Sequence, residues 1–220
     1  ADHAVLDHGG REWLLSLLDA RGGDEAARWF APLALGWEDG EDERLRQLQP
    51  SAVAKVRVGP RVGVMADAQA DPAFCAALLD ALARRREIGA AHGRVRFVPG
   101  AAFGRIAGRM PMPTTPPRQV PQARNSVLVL DESLFMKVLR QVSPGVNIEV
   151  EIGRFLTDVA GFEHSAAAAG HVEHVAADGT SSTLVSLQAY LPNQGDAWGF
   201  VSDQLQLWLA RHPAGRPEDA

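Results

Sequence analysis

One lysine of the sequence lies where an unpaired ammonium group is costly. Lys137 stands in the apolar segment LFMKVL, which is typical of a β-strand, and there it shares a face with Phe135 and Leu139. A cation on such a face needs a carboxylate partner or a phosphate group. Alternatively, its aliphatic stem covers the sheet edge while the ammonium reaches water. The residues around Lys137 leave both interpretations open.

Two acidic residues downstream could supply the partner. Asn147 is a typical helix N-cap at the start of NIEVEIGRFLTDVAG. The apolar residues that follow it have helical spacing and predict an inward face made of Ile148, Ile152, Phe155, Leu156 and Val159. Glu149 and Glu151 lie roughly 80° on either side of this apolar arc, at about 100° per residue. Periodicity therefore does not choose between them.

The secondary-structure elements predicted around Lys137 and the two glutamates follow one another in an informative order. Two β runs joined at 131–133 predict a hairpin that carries Lys137, and the helix after Asn147 follows it. A second hairpin turns at Asp178-Gly179, and a last amphipathic helix covers AWGFVSDQLQLWLARH. A kinase N-terminal lobe has this order of elements: a hairpin whose second strand carries a lysine, then a helix with acidic residues, then a second hairpin. In that lobe the lysine contacts the α- and β-phosphates of ATP and a helix glutamate holds the lysine in place.

The sequence of this region resembles that of bacterial maltokinases, which occur alone or fused to trehalose synthase. The matching stretches are SLFMKVLRQVSPGVNIEVEIGRFLTDVAGF and LVSLQAYLPNQGDAW. The first half is similar, more weakly, to the cap region of the fused enzymes through FAPLALGWED, AVAKVRVGPRVGVMADA and DPAFCAALLDAL. The resemblance covers nearly the whole chain, and residues 123–200 carry most of its weight.

The resemblance implies a fold and an activity. The fold is α+β, with an N-terminal cap subdomain at 1–90 and a protein-kinase-like (aminoglycoside-phosphotransferase-like) N-lobe at 91–220 that includes the hinge and the next helix. The activity is that of a transferase of trehalose and glycogen metabolism, a kinase that moves the γ-phosphate of ATP to maltose and makes maltose 1-phosphate. The C-lobe of the family would lie beyond Ala220, so these residues alone are expected to be inactive.

The resemblance also implies roles for individual residues. Lys137 contacts the phosphates, Glu151 orients Lys137, and Ser126 with neighbouring amides covers the triphosphate. The backbone of the hinge holds adenine through Gln188, Ala189, Tyr190 and Leu191. ATP and Mg²⁺ are the implied cofactors. No catalytic residue and no metal ligand is assigned within this chain, because both are expected in the C-lobe.

Two further interpretations remain, of which the first belongs to another functional class. One is a non-catalytic cap or docking module that binds a trehalose synthase domain. The other is a kinase of a different sugar. The phosphate-facing loop of the family reads about Gln-Ser-Asn-Thr-Ser-Val, whereas this chain has QARNSV at 122–127.

The amino-acid composition argues against two classes of partner, nucleic acids and membranes. The 220 residues carry 22 Lys plus Arg and 27 Asp plus Glu, a formal charge of −5 without a basic block, which argues against a nucleic-acid partner. No apolar run approaches the roughly 20 residues that cross a membrane. The single Cys75 and the lack of a signal segment at the N-terminus predict a cytoplasmic protein.

The first half of the chain predicts mixed secondary structure. Residues 9–20 have helical spacing and predict a short helix, and 28–39, 51–59 and 61–70 predict antiparallel strands. Asp71-Pro72 predicts the start of a helix that runs through DPAFCAALLDALARRRE. The segments GRVRFVPG and AAFGRIAG predict strands, and the proline-rich 110–122 predicts a surface connection.

The histidines invite a metal interpretation that the spacing does not favour. His171 and His174 are three residues apart in a predicted strand and would face opposite ways. The polar N-terminus, with Asp2, His3, Asp7 and His8, predicts a frayed end.

Overall fold

The computed structural model describes residues 1–22, 25–39, 42–108, 117–120, 125–193, 195 and 197–212. Its strands are β1 (Asp2–His8), β2 (Arg11–Gly22), β3 (Glu25–Trp37), β4 (Ala52–Val58), β5 (Arg61–Asp67), β6 (Glu87–Ala90), β7 (Gly93–Pro99), β8 (Arg118–Val120), β9 (Asn125–Leu130), β10 (Leu134–Leu139), β11 (Gln141–Val142), β12 (Ala168–Ala176) and β13 (Ser181–Ala189). Its helices are α1 (Asp42–Leu48), α2 (Pro72–Ala83), α3 (Phe103–Ala107), α4 (Ile148–Arg154) and α5 (Ala197–Arg211). A π-helical turn, Phe155–Val159, continues α4.

All these strands belong to one antiparallel sheet. Its order is β4-β5-β3-β2-β1-β6-β7-β12-β13-β10-β9-β8, and β11 pairs with β3. In this order β3 and β10 are separated by the strands from β2 to β13. Only one residue links β10 to β11, and β11 pairs with β3, so the two distant parts of the sheet are brought together. The sheet therefore wraps around a core, and the fold is mixed α/β with a large antiparallel sheet.

The buried core lies inside this wrapped sheet, and α2 runs through it. The helix begins as its sequence predicts, with the Asp71 side chain accepting a hydrogen bond from Ala73 N and proline at the first position. Nine of its twelve residues are buried, so it packs on more than one face. Cys75 is one of them, and burial raises the pKa of its thiol to about 12. This cysteine is a packing residue.

Contacts divide the chain into two compact units, Ala1–Tyr190 and Leu191–Ala220. Within the first unit, β6 pairs with both β1 and β7, so the hydrogen-bonded sheet is continuous across residue 90. The second unit contains α5, whose described residues are largely exposed. No helix among the described residues has the length and apolarity needed to cross a membrane.

The predicted helix at 9–20 is wrong, because this segment is the strand β2. Trp13, Leu15 and Leu17 alternate into the core while Leu18 faces out. Pairing with β1 on one side and β3 on the other supplies more backbone hydrogen bonds and burial than a short isolated helix could gain. Leucine spacing alone is ambiguous in a segment this short.

Two other segments also differ from the prediction. AAFGRIAG contains the helical turn α3, which packs Phe103 into the core. The N-terminus is not frayed, because β1 lies inside the sheet between β2 and β6. The predicted strands β3, β4, β5 and β7, the turn at Gly59-Pro60 and both later hairpins are confirmed. Most of the proline-rich connection lies outside the described residues.

Candidate functional site

Lys137 lies in the middle of β10 on the face of the sheet opposite the core. It pairs with Val127 of β9 and Ser186 of β13, and Ser186 in turn pairs with His171 of β12. Cross-strand partners share a face, so these four side chains form one row. The neighbours Met136 and Val138 point the other way and are fully buried. The Lys137 side chain is only 14% exposed.

The ammonium group of Lys137 is held by a carboxylate from α4. Its Nζ donates to Glu149 Oε1 at 2.7 Å and to Oε2 at 2.8 Å. Of the two acids that helix periodicity leaves open, Glu149 is therefore the one that pairs with Lys137. The pairing with Glu151, which the maltokinase resemblance implied, is wrong in this structure, because Glu151 is exposed and makes no ion pair among the described residues.

The way α4 packs explains the choice. Val150 is buried, and the Thr157 hydroxyl accepts a hydrogen bond from Ala168 N at 2.8 Å. Gly153 faces the same strand, where an added Cβ would be in van der Waals contact with the Ala168 Cβ at 3.6 Å. These three residues at i, i+3 and i+7 define the face that meets the sheet. At about 100° per residue, Glu149 is closer to that face than Glu151 is.

The same packing turns the apolar stripe of α4 outward. Of the five residues predicted to face the core, Leu156 is half-buried, whereas the other four are more than half exposed: Ile148, Ile152, Phe155 and Val159, the last at 74%. The sheet-facing side instead uses small and medium side chains. A helix can approach a sheet closely through glycine and threonine, whereas the larger side chains would hold it away.

Ser126 does not join the Lys137 side of the sheet. It pairs with Val138, so its side chain lies on the opposite face. Its Oγ accepts a hydrogen bond from Arg140 Nε at 2.9 Å, and Arg140 Nη2 also pairs with Asp67 of β5. The hydroxyl is thus part of an ionic network that joins β9, β10 and β5.

The predicted hinge residues are engaged in part. Ala189 N donates to Ala167 O at 2.8 Å, and Tyr190 N donates to Ser133 O at 2.9 Å. Gln188 lies in β13 opposite Phe135. Leu191 begins the second unit, where its carbonyl accepts a hydrogen bond from Asn193 Nδ2. The amides of Ala189 and Tyr190 and the carbonyl of Leu191 are therefore already hydrogen-bonded within the chain.

His171, in the same row as Lys137, is a buried neutral histidine. Burial is the main cause that lowers its pKa to about 4, and the positive charges of Arg154 and Arg96 add to it. Its Nδ1 has no hydrogen-bond partner, and its Nε2 lies 3.9 Å from a Glu173 carboxylate oxygen. His174 instead contacts Asp2. In the described part of the chain, no three His, Cys, Asp or Glu side chains converge as metal ligands.

Sequence reasoning missed the partners of Arg140 and His174. Arg140 directly follows the strand that holds Lys137, but its acid, Asp67, is 73 residues away. Asp2 is 172 residues from His174. No periodicity or motif links residues so far apart, and only the register of the sheet brings them together.

Comparison with known proteins identifies a solved fold of the same kind. A glucosamine kinase in complex with glucosamine, ADP and inorganic phosphate matches with a TM-score of 0.50 and 21% sequence identity, over 95% of this chain and 39% of that protein. A second structure, crystal form A of glucosamine kinase, gives a TM-score of 0.49 at 19% identity, over 95% and 38%. The chain thus spans about two fifths of the length of these matches, and what it shares with the first of them is the fold. No family model and no curated protein matches the sequence.

Proposed function

We propose that these residues form the nucleotide-binding lobe of an ATP-dependent sugar kinase. The observation that carries the proposal is the ion pair between Lys137, on the sheet face opposite the core, and Glu149 of the following helix. A second support is the shared fold with a protein that was solved with ADP and a sugar. The maltokinase resemblance of 123–200 is the third.

The geometry at Lys137 suits a triphosphate. The Lys137 side chain is 14% exposed, so a phosphate oxygen that reaches its ammonium group meets a cation partly shielded from bulk water. Glu149 fixes the ammonium position with two hydrogen bonds and leaves the third N–H direction for a ligand. In this proposal Lys137 binds the α- and β-phosphates, and Glu149 has the orienting role that the resemblance assigned to Glu151.

The remaining parts of the implied site are proposed as follows. The Ser126 hydroxyl is on the other face and bound to Arg140, so only backbone amides near it are proposed to cover phosphates. The backbone between 188 and 191 is proposed to hold adenine, as the resemblance implies. Mg²⁺ is proposed as the ion that accompanies ATP, and the described residues assign it no ligand set.

The proposed acceptor is maltose, with maltose 1-phosphate as the product. This choice rests on the resemblance of the residues around Lys137 and 188–198 to maltokinases. Glucosamine is the second candidate, because the protein that shares the fold is a glucosamine kinase. Both acceptors place the chain among the transferases that phosphorylate sugars.

The experiment measures ADP release by the natural full-length protein with ATP, Mg²⁺ and either maltose, glucosamine or no sugar. We expect release that depends on one of the two sugars. Lys137→Met should lower kcat/KM by about 100-fold or more, the usual cost of removing a charge that stabilises the transition state. The matched control is Lys55→Met, which removes the other lysine of this chain from the exposed strand β4.

Two results would overturn the proposal: ADP release that neither sugar stimulates, or full activity of Lys137→Met. Activity with glucosamine and not with maltose would replace the first acceptor by the second. The isolated 220-residue chain, which we propose to be inactive by itself, is the negative control.

A further inference from the structure

Arg140 ties the strand of Lys137 to the N-terminal half of the chain. Its guanidinium spans two strands, with Nε bound to Ser126 Oγ of β9 at 2.9 Å and Nη2 paired with Asp67 of β5. Both side chains of the Arg140–Asp67 pair are about three quarters shielded, at 22% and 27% exposure. Screening by solvent is weaker there than at the protein surface.

Asp67 is itself held in place. Its Oδ1 accepts a hydrogen bond from Gln69 N at 3.0 Å, which caps the short 3₁₀ turn before α2, and its Oδ2 binds Arg140. In β5 it pairs with Leu33 of β3. The carboxylate is therefore a fixed point of the N-terminal sheet, and Arg140 is anchored to it.

The backbone that follows Arg140 is anchored to the same part of the sheet. Phe30 N donates to Arg140 O at 2.8 Å, and β11 pairs with Trp29 and Arg28 of β3. After β11, Asn147 N donates to Thr183 Oγ1 at 3.2 Å before α4 begins. The connection between Lys137 and Glu149 thus passes through contacts supplied by β3 and β5.

We propose that Asp67 is a positioning residue for Lys137 and acts through Arg140. The N-terminal half then sets the geometry of the Lys137–Glu149 pair, and so the affinity for ATP. This second step rests on the proposed function, whereas the positioning of Lys137 does not. Loss of the Asp67 charge removes one of the anchors of Arg140 at the end of β10, loosens the two hydrogen bonds of the Lys137 ammonium, and lets solvent and reagents reach it.

The test compares variants of the natural full-length protein by trace acetylation of lysine with acetic anhydride, read by peptide mass spectrometry. Lys55, on the exposed strand β4, is the internal reference. We expect Asp67→Asn to raise the acetylation rate of Lys137 relative to Lys55 by about threefold or more, the size of coupling carried through such contacts. Asp67→Glu, which keeps the charge, should restore most of the protection.

The matched control is Asp39→Asn. Asp39 pairs with Arg61 at the other end of β5 and has no contact with β10 in the described structure. It should leave the Lys137 rate unchanged. If Asp67→Asn does not fold, Arg140→Lys gives the same comparison in a milder form, because one ammonium cannot bind both Ser126 and Asp67 as the planar guanidinium does.

Steady-state kinetics separate this proposal from the proposed function. With the active sugar, Asp67→Asn should raise KM for ATP by about threefold or more while kcat changes less. Unchanged acetylation of Lys137 in Asp67→Asn, or an equal rise in Asp39→Asn, overturns the positioning role whatever the activity. If Asp67→Asn raises the acetylation of Lys137 but no sugar stimulates ADP release, the positioning role is supported and the proposed kinase function is overturned.

Discussion

The carboxylate of Asp2 lies 2.6 Å from His174 Nε2, although the two residues are 172 positions apart and belong to different strands, β1 and β12. Both side chains are nearly inaccessible to solvent. The second oxygen of Asp2 accepts hydrogen bonds from His3 N and His92 N. This buried pair fastens the first strand of the chain to the strands around the candidate site.

We expect Asp2→Asn to destabilise the 220-residue chain by about 2–4 kcal/mol, because it leaves buried polar groups without their charged partner. Asp19→Asn is the control. Asp19 pairs with Arg28 and the N-terminus at the surface, and its loss should cost about 1 kcal/mol or less. Urea unfolding of both variants measures the difference. Equal costs for the two substitutions would contradict the structural role of the buried pair.

His171 makes stability depend on pH in a defined window. Burial, with Arg154 and Arg96, lowers its pKa from 6.5 to about 4 in the folded chain. Below pH 6.5 the unfolded chain takes up a proton that the folded chain does not bind until about pH 4. Its contribution to stability is therefore complete above pH 6.5 and is lost as pH falls towards 4, by about 3 kcal/mol in total.

The measurement is the free energy of unfolding of His171→Gln against the unsubstituted chain between pH 7 and 4.5. The variant should lose less stability over this range. His164→Gln, at an exposed histidine, is the control and should follow the unsubstituted chain. Identical pH profiles for all three proteins would show that His171 is not buried as a neutral side chain.

The two acids of α4 give opposite expectations. Glu149→Gln should raise the acetylation rate of Lys137, and in the proposed kinase it should lower kcat/KM for ATP by about tenfold, because the ammonium loses a charged partner with two hydrogen bonds. Glu151→Gln should change either quantity by less than about twofold, as is usual for an exposed acid. A larger effect of Glu151→Gln would favour the partner that the maltokinase resemblance implies.

Gly63 should not tolerate a side chain. A Cβ built there would lie 2.1 Å from Gly36 O and 3.0 Å from the Trp37 ring, where β5 pairs with β3. We expect Gly63→Ala to cost about 2 kcal/mol or more through strand displacement. Gly89→Ala on β6 has open space around the added Cβ and serves as control. Thermal unfolding of the two variants compares them.

Local patterns in the sequence determined several elements. Asp71 followed by proline marks the start of α2, and Asn147 caps α4, because a cap needs only the residue itself and the next two or three amides. Turn residues between β runs likewise fixed the two hairpins that surround α4. An apolar strand with one lysine was enough to single out Lys137, and it left open whether the ammonium meets a carboxylate, a phosphate or water.

Only the tertiary structure decided that Lys137 pairs with a carboxylate, and which acid supplies it. Glu149 and Glu151 are equivalent by helix periodicity, and the packing of Gly153 and Thr157 on β12 selects Glu149. The same contact leaves the apolar stripe of α4 exposed, against the usual rule that large apolar side chains face inward. Local preference is worth little per residue beside close packing on a sheet.

The tertiary structure also decided that residues 11–22 form a strand. It likewise decided two side-chain pairs, Asp2–His174 and Asp67–Arg140. Each depends on which strands become neighbours in the wrapped sheet. A single sequence records side-chain types along the chain, whereas these contacts join residues tens to hundreds of positions apart through the register of the strands between them. The sequence therefore determined the chemistry offered at Lys137, and the sheet register determined the partners that hold it.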